Sequence, residues 1–274
     1  MRERLASYFA ENRIEYFSVL DYGACRETAK RIIDRESFVP RSVIVYLLPY
    51  YAGNTVNISR YAASLDYHII ISEINRGLVT LLSEGCVGSH AVGYGDHSPI
   101  DERHAALIGG LGILGDNGLL INEKYGSYVF IGDVVTDIEP SALSCEKVRE
   151  ILFCESCGAC KRACPTRILS GEGDTCLSFI TQKKGDLSEG EATLMRRYGT
   201  VWGCDECQSV CPHNRNPRRT PLEFFYKDRI ENLTRQTLDS LSDGDFRLRP
   251  FAWRGRRVVE RNLDLFEKKE KNQC

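Results

Sequence analysis

The chain has 274 residues, 42% of them hydrophobic and 27% charged, with a net charge of −2. That length supports one sizeable core plus a smaller module, and the composition excludes a fibrous, disordered or membrane-spanning chain. Twelve cysteines without a secretory signal point to metal ligation in a cytoplasmic setting rather than to disulfides.

In chain order, residues 1–150 alternate helical and strand patterns and are expected to form an α+β core with α/β-like character. An amphipathic helix is predicted over 2–12, a strand over 42–48 and a long helix over 61–83. Ser98 and Pro99 read as the N-cap and first position of a further helix through Ile108, which places Asp96 just before a helix N-terminus. Two strands follow, 118–122 and 127–135, joined by a hairpin turn at 123–126. Gly110, Gly112 and Gly115 satisfy G-x-G-x-x-G, but a dinucleotide site needs a strand before the glycines and a helix after them. Here the order is reversed, so the glycines are expected to make a tight helix-to-strand connection that lets a ligand approach the backbone. The five histidines fall at no metal-binding spacing and read as structural.

Residues 151–220 carry the strongest signal. Cys154, Cys157, Cys160, Cys164 and Pro165 spell C-x2-C-x2-C-x3-C-P, the run that holds [4Fe–4S] clusters, and Cys204, Cys207, Cys211 and Pro212 give a shortened second run. Two cubanes need eight thiolates. Cys176, between the runs, is the economical eighth ligand, with Cys145 its one rival. Because the last cysteine of such a run serves the neighbouring cluster, the expected sets are Cys154, Cys157, Cys160 and Cys211, and Cys164, Cys176, Cys204 and Cys207. Zinc also suits paired C-x2-C units, but it needs four ligands where eight are laid out. Cys25, Cys86, Cys145 and Cys274 are left as free thiols.

From residue 221 the chain reads as a short helical tail ending in a helix over 256–271. From 213 onward there are 15 Lys+Arg against 10 Asp+Glu, leaving the remainder at −7. This basic bias suits either a phosphate backbone or a solvated helix face. Arg254, Arg256, Arg257 and Arg261 around Trp253 form its densest part.

In order along nearly the whole chain, 58–62 (Ile-Ser-Arg-Tyr-Ala), Asp66-Tyr67-His68, Asp96 to Pro99 with Glu102-Arg103, 110–115, 126–130, Cys176-Leu177-Ser178, 203–208 and both cysteine runs resemble the epoxyqueuosine reductase family. The resemblance implies a core related to reductive dehalogenases with a ferredoxin-like two-cluster module, and cobalamin beside the two [4Fe–4S] clusters. It further implies reduction of the epoxide of epoxyqueuosine in a tRNA anticodon loop, fed by an external low-potential electron donor. Asp96 matches the family's proton donor, and a raised pKa from burial against the corrin is expected. Tyr61, Asp96, Leu120, Gly132, Ser178, Asp205 and Glu206 match corrin-contacting positions, with core packing for Leu120 and a turn for Gly132 as the simpler readings.

Two features depart from the family pattern. Asp116-Asn117 stands where the family has Lys-Asn, and the chain reads as a short form without the helical-repeat domain that helps longer members grip tRNA. The alternatives are therefore a paralogous corrinoid reductase acting on another small electrophile, or a two-cluster electron-transfer protein without corrinoid.

Overall fold

A computed structural model describes residues 1–267. Lys268 to Cys274, with the end of the predicted last helix and Cys274, lie outside the described residues. The chain divides into two units: 1–50 with 67–156, and 51–66 with 157–274.

The first unit is built on one antiparallel sheet of order β1-β2-β6-β3. Its elements are α1 (Arg2–Glu11), β1 (Phe17–Asp21), α2 (Lys30–Ile33), β2 (Ser42–Pro49), α3 (Tyr67–Gly85), β3 (Ala91–Tyr94), α4 (Glu102–Ile108), β4 (Ile113–Leu114), β5 (Leu120–Ile121), β6 (Val129–Thr136) and α5 (Pro140–Leu143). The sheet is α+β in kind, since every strand pair is antiparallel. β2 is buried along its whole length, which is why its sequence is one apolar run and not an alternation. Val43, Val45 and Leu47 join a core cluster with Ala105, Leu107 and Ile108 of α4. On the opposite face, Tyr46 packs against Phe9 of α1 and donates to Asn75 Oδ1 of α3 at 2.8 Å.

Three local expectations change. The long helix begins at Tyr67, after a separate 3-10 turn at Arg60–Ala62. The strands around 123–126 do not form one hairpin: β5 pairs with β4, whereas β6 pairs with β2 and β3, and only an isolated Asn122–Gly126 bridge joins them. Nor does Ser98 cap a helix. α4 starts at Glu102 and is capped by Asp101, whose side chain accepts from His104 N–H, so Asp96 lies six residues ahead of it.

The second unit contains α6 (Ala159–Ala163), α7 (Leu177–Thr181), α8 (Glu189–Tyr198), α9 (Glu206–Ser209), α10 (Arg235–Ser240), α11 (Asp243–Arg247) and α12 (Arg256–Glu267). Residues 51–66, read from sequence as part of the first domain, belong here for a backbone reason: Val201 N–H donates to Asn57 O and Ser59 N–H to Trp202 O. Ile58, Ala62 and Ala63 then pack with Trp202, Leu233, Leu238, Phe251 and Val259 in a second apolar core. The unit thus has a hydrophobic core as well as its cysteines. Asn262 of α12, fully buried, donates to the carbonyls of Thr181 and Val201 and ties the helical tail into it. Among the described residues no helix is long and apolar enough to cross a membrane.

Candidate functional site

Asp96 follows β3 directly and has a left-handed backbone, φ +65°. Tyr67 Oη donates to its Oδ2, and His68 Nε2 lies 3.4 Å from the same oxygen. The first turn of α3 supplies both partners. Tyr67 is itself fixed by stacking on Phe130 of β6, ring centroids 3.9 Å apart. Burial raises the Asp96 pKa, but hydrogen bonds from His68 and Tyr67 and the charges of His68 and His97 outweigh it, leaving the carboxyl below its usual range. The partners of Oδ2 stabilise its ionised form, whereas the raised pKa expected from sequence is tied to burial against a corrin. The arrangement also gives His68, read as structural, a place at the site. The signal was the Tyr67-His68 pair about two turns inside the predicted helix.

Behind Asp96, Ser98 Oγ donates to Asp133 Oδ2 on β6 at 2.9 Å, which is what Ser98 does in place of capping. Glu102 lies within hydrogen-bonding reach of Asp133. A cavity of about 440 Å³ opens beside α4, lined by Glu102, Arg103, Gly118, Leu120, Val129 and Ile131 among others. In the glycine-rich loop a Cβ on Gly112 would sit 2.5 Å from Ile121 O, so this glycine permits a close approach to β5. Gly132 is not in a turn but within β6, where a Cβ would meet the Tyr46 ring at 2.5 Å.

Cys154 closes the first unit's part of the cysteine pattern. Its backbone N–H donates to Leu114 O, which aligns 152–154 with β4, and the Asp116 N–H donates to Cys154 Sγ at 3.3 Å. Asp116 Oδ1 in turn accepts from Ser156 Oγ at 3.2 Å. The position of charge reversal is thus a support for a cysteine. Hydrogen bonds from amides to cluster sulfurs are among the contacts that tune an iron–sulfur site.

In the second unit α6 and α9, which carry Cys160 and Cys207, pack against each other. Cys204 has Cys176 and Cys207 as electrostatic neighbours. With burial the larger cause, they raise its thiol to about 12. Burial also raises the Cys164 thiol, but the amides of Leu169, Thr166 and Ile168 and the Thr166 hydroxyl bring it below its usual value. Polar groups around a ligand sulfur are among the features that set a cluster's potential. Cys145, the rival eighth ligand, instead lies 3.8 Å from Ser42 Oγ in the first unit. Among the described residues no three or more His, Cys, Asp or Glu converge at the spacing of a single metal ion. Among the described residues no disulfide joins any of the cysteines.

Comparison with known proteins decides the family. Residues 153–214 match the 4Fe-4S double cluster binding domain. The chain is 32% identical over 221 residues to an epoxyqueuosine reductase of Gloeobacter violaceus, spanning 75% of this chain and 68% of that one. The chain belongs to the epoxyqueuosine reductase family. It is 33% identical over 173 residues to the Escherichia coli epoxyqueuosine reductase, covering 61% of this chain and 44% of that relative. The fold is shared with the Streptococcus thermophilus epoxyqueuosine reductase, at TM-score 0.73 and 21% identity over 100% of this chain and 86% of that one. It is shared equally with an epoxyqueuosine reductase solved with an epoxyqueuosine-modified tRNA stem loop, at TM-score 0.73 and 21% identity over 96% and 80% of the two chains. Membership makes the chain an oxidoreductase bearing two [4Fe–4S] clusters.

Of the positions expected from sequence to contact a corrin, some lie in each unit. In the first, Leu120 is buried in β5 and lines the cavity beside α4, whereas Asp96 and Gly132 lie in the same unit but outside that lining. In the second, Tyr61 Oη accepts from Trp202 Nε1 at 3.0 Å, and Ser178 Oγ accepts from Gln182 at 3.2 Å. Asp205 accepts from Arg60 N–H at 2.7 Å, from Arg60 Nη1 at 3.0 Å and from Ser59 Oγ. Glu206 lines a small cavity with Ser59, Arg60 and Cys204.

Proposed function

We propose that the chain is a cobalamin-dependent iron–sulfur reductase that converts the epoxide of epoxyqueuosine in tRNA to the alkene of queuosine. The observation that carries this reading is Asp96, which presents one carboxylate oxygen to both a tyrosine hydroxyl and an imidazole in a chain of this family. Removing an epoxide oxygen as water takes two electrons and two protons. Two [4Fe–4S] clusters and a corrinoid, when bound, supply the low-potential electrons and a reducing cobalt.

The chain's own residues do the rest. The eight cysteines hold the clusters, with the Asp116 amide directed at Cys154 Sγ. The apolar side chains of Leu120, Val129 and Ile131, beside the Gly118 backbone, suit the edge of an amide-bearing macrocycle. Asp96 Oδ2 is the atom at which a proton is handed on. Because its surroundings favour the carboxylate, the proton reaches it from Tyr67 Oη or His68 Nε2, and the three residues act as one acid.

For RNA, the exposed Trp253 with Arg254 stacked 3.7 Å from its ring centre is the fitting contact in the basic tail. Arg256 and Arg261 are engaged by backbone carbonyls of 238, 241, 183 and 185. Such a substrate places the enzyme in the cytoplasm with an external low-potential donor. Protein reconstituted without oxygen should take up cob(II)alamin with a changed visible and EPR spectrum and convert epoxyqueuosine-containing tRNA. No uptake would reduce it to an electron carrier, and uptake without conversion would assign it another electrophile.

A further inference from the structure

Asp133 is fully buried in the middle of the sheet, its register partners being Val45 on β2 and Tyr94 on β3. A carboxyl there is cut off from bulk solvent and needs partners for both oxygens. Oδ2 has Ser98; among the described residues Oδ1 has no donor, and the buried Oε1 of Glu102 has none either. Yet the two side chains are within hydrogen-bonding reach of each other. Two bare acceptors facing one another away from bulk solvent are satisfied together by one proton. The groups facing the pair from other elements are Ser98, Asp96, Tyr46, Tyr94 and Cys25, none of them a cation. Burial accordingly pushes both carboxyls up, Glu102 to about 8 and Asp133 to about 7, and they titrate as a pair.

Glu102 also has the Asp96 backbone as a close electrostatic neighbour that favours its ionised form. A non-glycine residue at φ +65° is held there only if its surroundings fix it. We infer that Asp133 and Glu102 hold a proton between them and that Glu102, so restrained, clamps the backbone of Asp96 in its left-handed conformation. The pair is then a positioning device for Asp96. Its value for turnover rests on the reading that Asp96 hands on a proton, whereas the clamp itself does not.

The test uses the full chain with its clusters. Infrared spectra at pH 7 should contain a protonated-carboxyl C=O band that disappears in both Glu102→Gln and Asp133→Asn. Absence of the band, or its survival in both variants, overturns the shared proton. Hydrogen exchange of the Asp96 amide should accelerate roughly tenfold or more in Glu102→Ala and stay within a few-fold of wild type in Glu102→Gln, which keeps an acceptor. An unchanged rate in Glu102→Ala overturns the clamp. Should Glu102→Ala fail to fold, the Asp96 amide chemical shift decides: it should titrate between about pH 7 and 8 in wild type and be flat in Glu102→Gln, and a flat wild-type curve overturns the proposal. Asp96→Asn separates the two readings, since turnover reports the donor while the residue-96 amide still reports the clamp.

Discussion

Each unit buries an aspartate, and the two are handled in opposite ways. Asp205 in the second unit, 9% exposed at its side chain, meets the Arg60 guanidinium, the Arg60 N–H and the Ser59 hydroxyl. Asp133 in the first unit, buried more deeply, meets one serine hydroxyl and another carboxyl. The first arrangement is a latch that fixes residues 59–60 to the start of α9. The second stores a proton. A buried carboxyl with a cation beside it answers a structural need, and one without it marks a place where protonation has been made part of the fold. Asp96 lies between these extremes, half exposed and held by a tyrosine and a histidine.

The largest effect should come from that third carboxyl. Asp96→Asn should lower turnover on epoxyqueuosine-containing tRNA by about 10²–10⁴-fold, the usual worth of a proton-transfer group. Iron content and corrinoid uptake should stay unchanged. Single-turnover assay with metal analysis checks both, and turnover near wild type would leave Asp96 as a loop residue. Next in size, Asp205→Asn should cost roughly 2 kcal/mol in denaturant unfolding of the second unit, because it turns an amide toward the partly buried Arg60 and its N–H.

How much of this contrast sequence could show depends on how local each feature is. The cysteine runs were legible because ligand spacing within one turn is set by the chain itself, and the central strand because a sheet covered on both faces demands an unbroken apolar run. Asp96 was picked out by its motif, but its partners were not: Tyr67 and His68, 29 and 28 residues earlier, converge on one of its oxygens. Ser98 followed by Pro99 has the form of a helix start, and only the register of β6, which brings Asp133 beneath it, shows why the hydroxyl turns inward. Residues 51–66 misled for a similar reason. Their allegiance is decided by backbone bonds to 201–202, which leave no trace in composition.

The pH dependence of stability sharpens the comparison further. Glu102 and Asp133 are raised in the folded protein, so between the ordinary carboxylate range near 4 and about pH 8 the folded state holds protons that the unfolded chain has released. Stability from this pair is therefore greatest at low pH and falls as pH rises through that window, by at most about 1.4 kcal/mol per pH unit per proton. Denaturant midpoints measured from pH 5 to 9 should decline with a steeper slope in wild type than in Asp133→Asn. Equal slopes would mean that the buried pair binds no extra proton.

The smallest effect is the most discriminating. Asp133→Asn is the same chemical change as Asp205→Asn, yet at neutral pH it should alter stability by less than about 1 kcal/mol. An asparagine amide can donate to Glu102 where the shared proton stood, while its oxygen still accepts from Ser98 Oγ, so no buried group loses its partner. Asp133→Leu, close in volume but unable to accept from Ser98 or donate to Glu102, should cost about 2–4 kcal/mol by leaving both unsatisfied. If the asparagine variant is as damaged as the leucine one, Asp133 is bound as a carboxylate by contacts of another kind, and the contrast with Asp205 disappears.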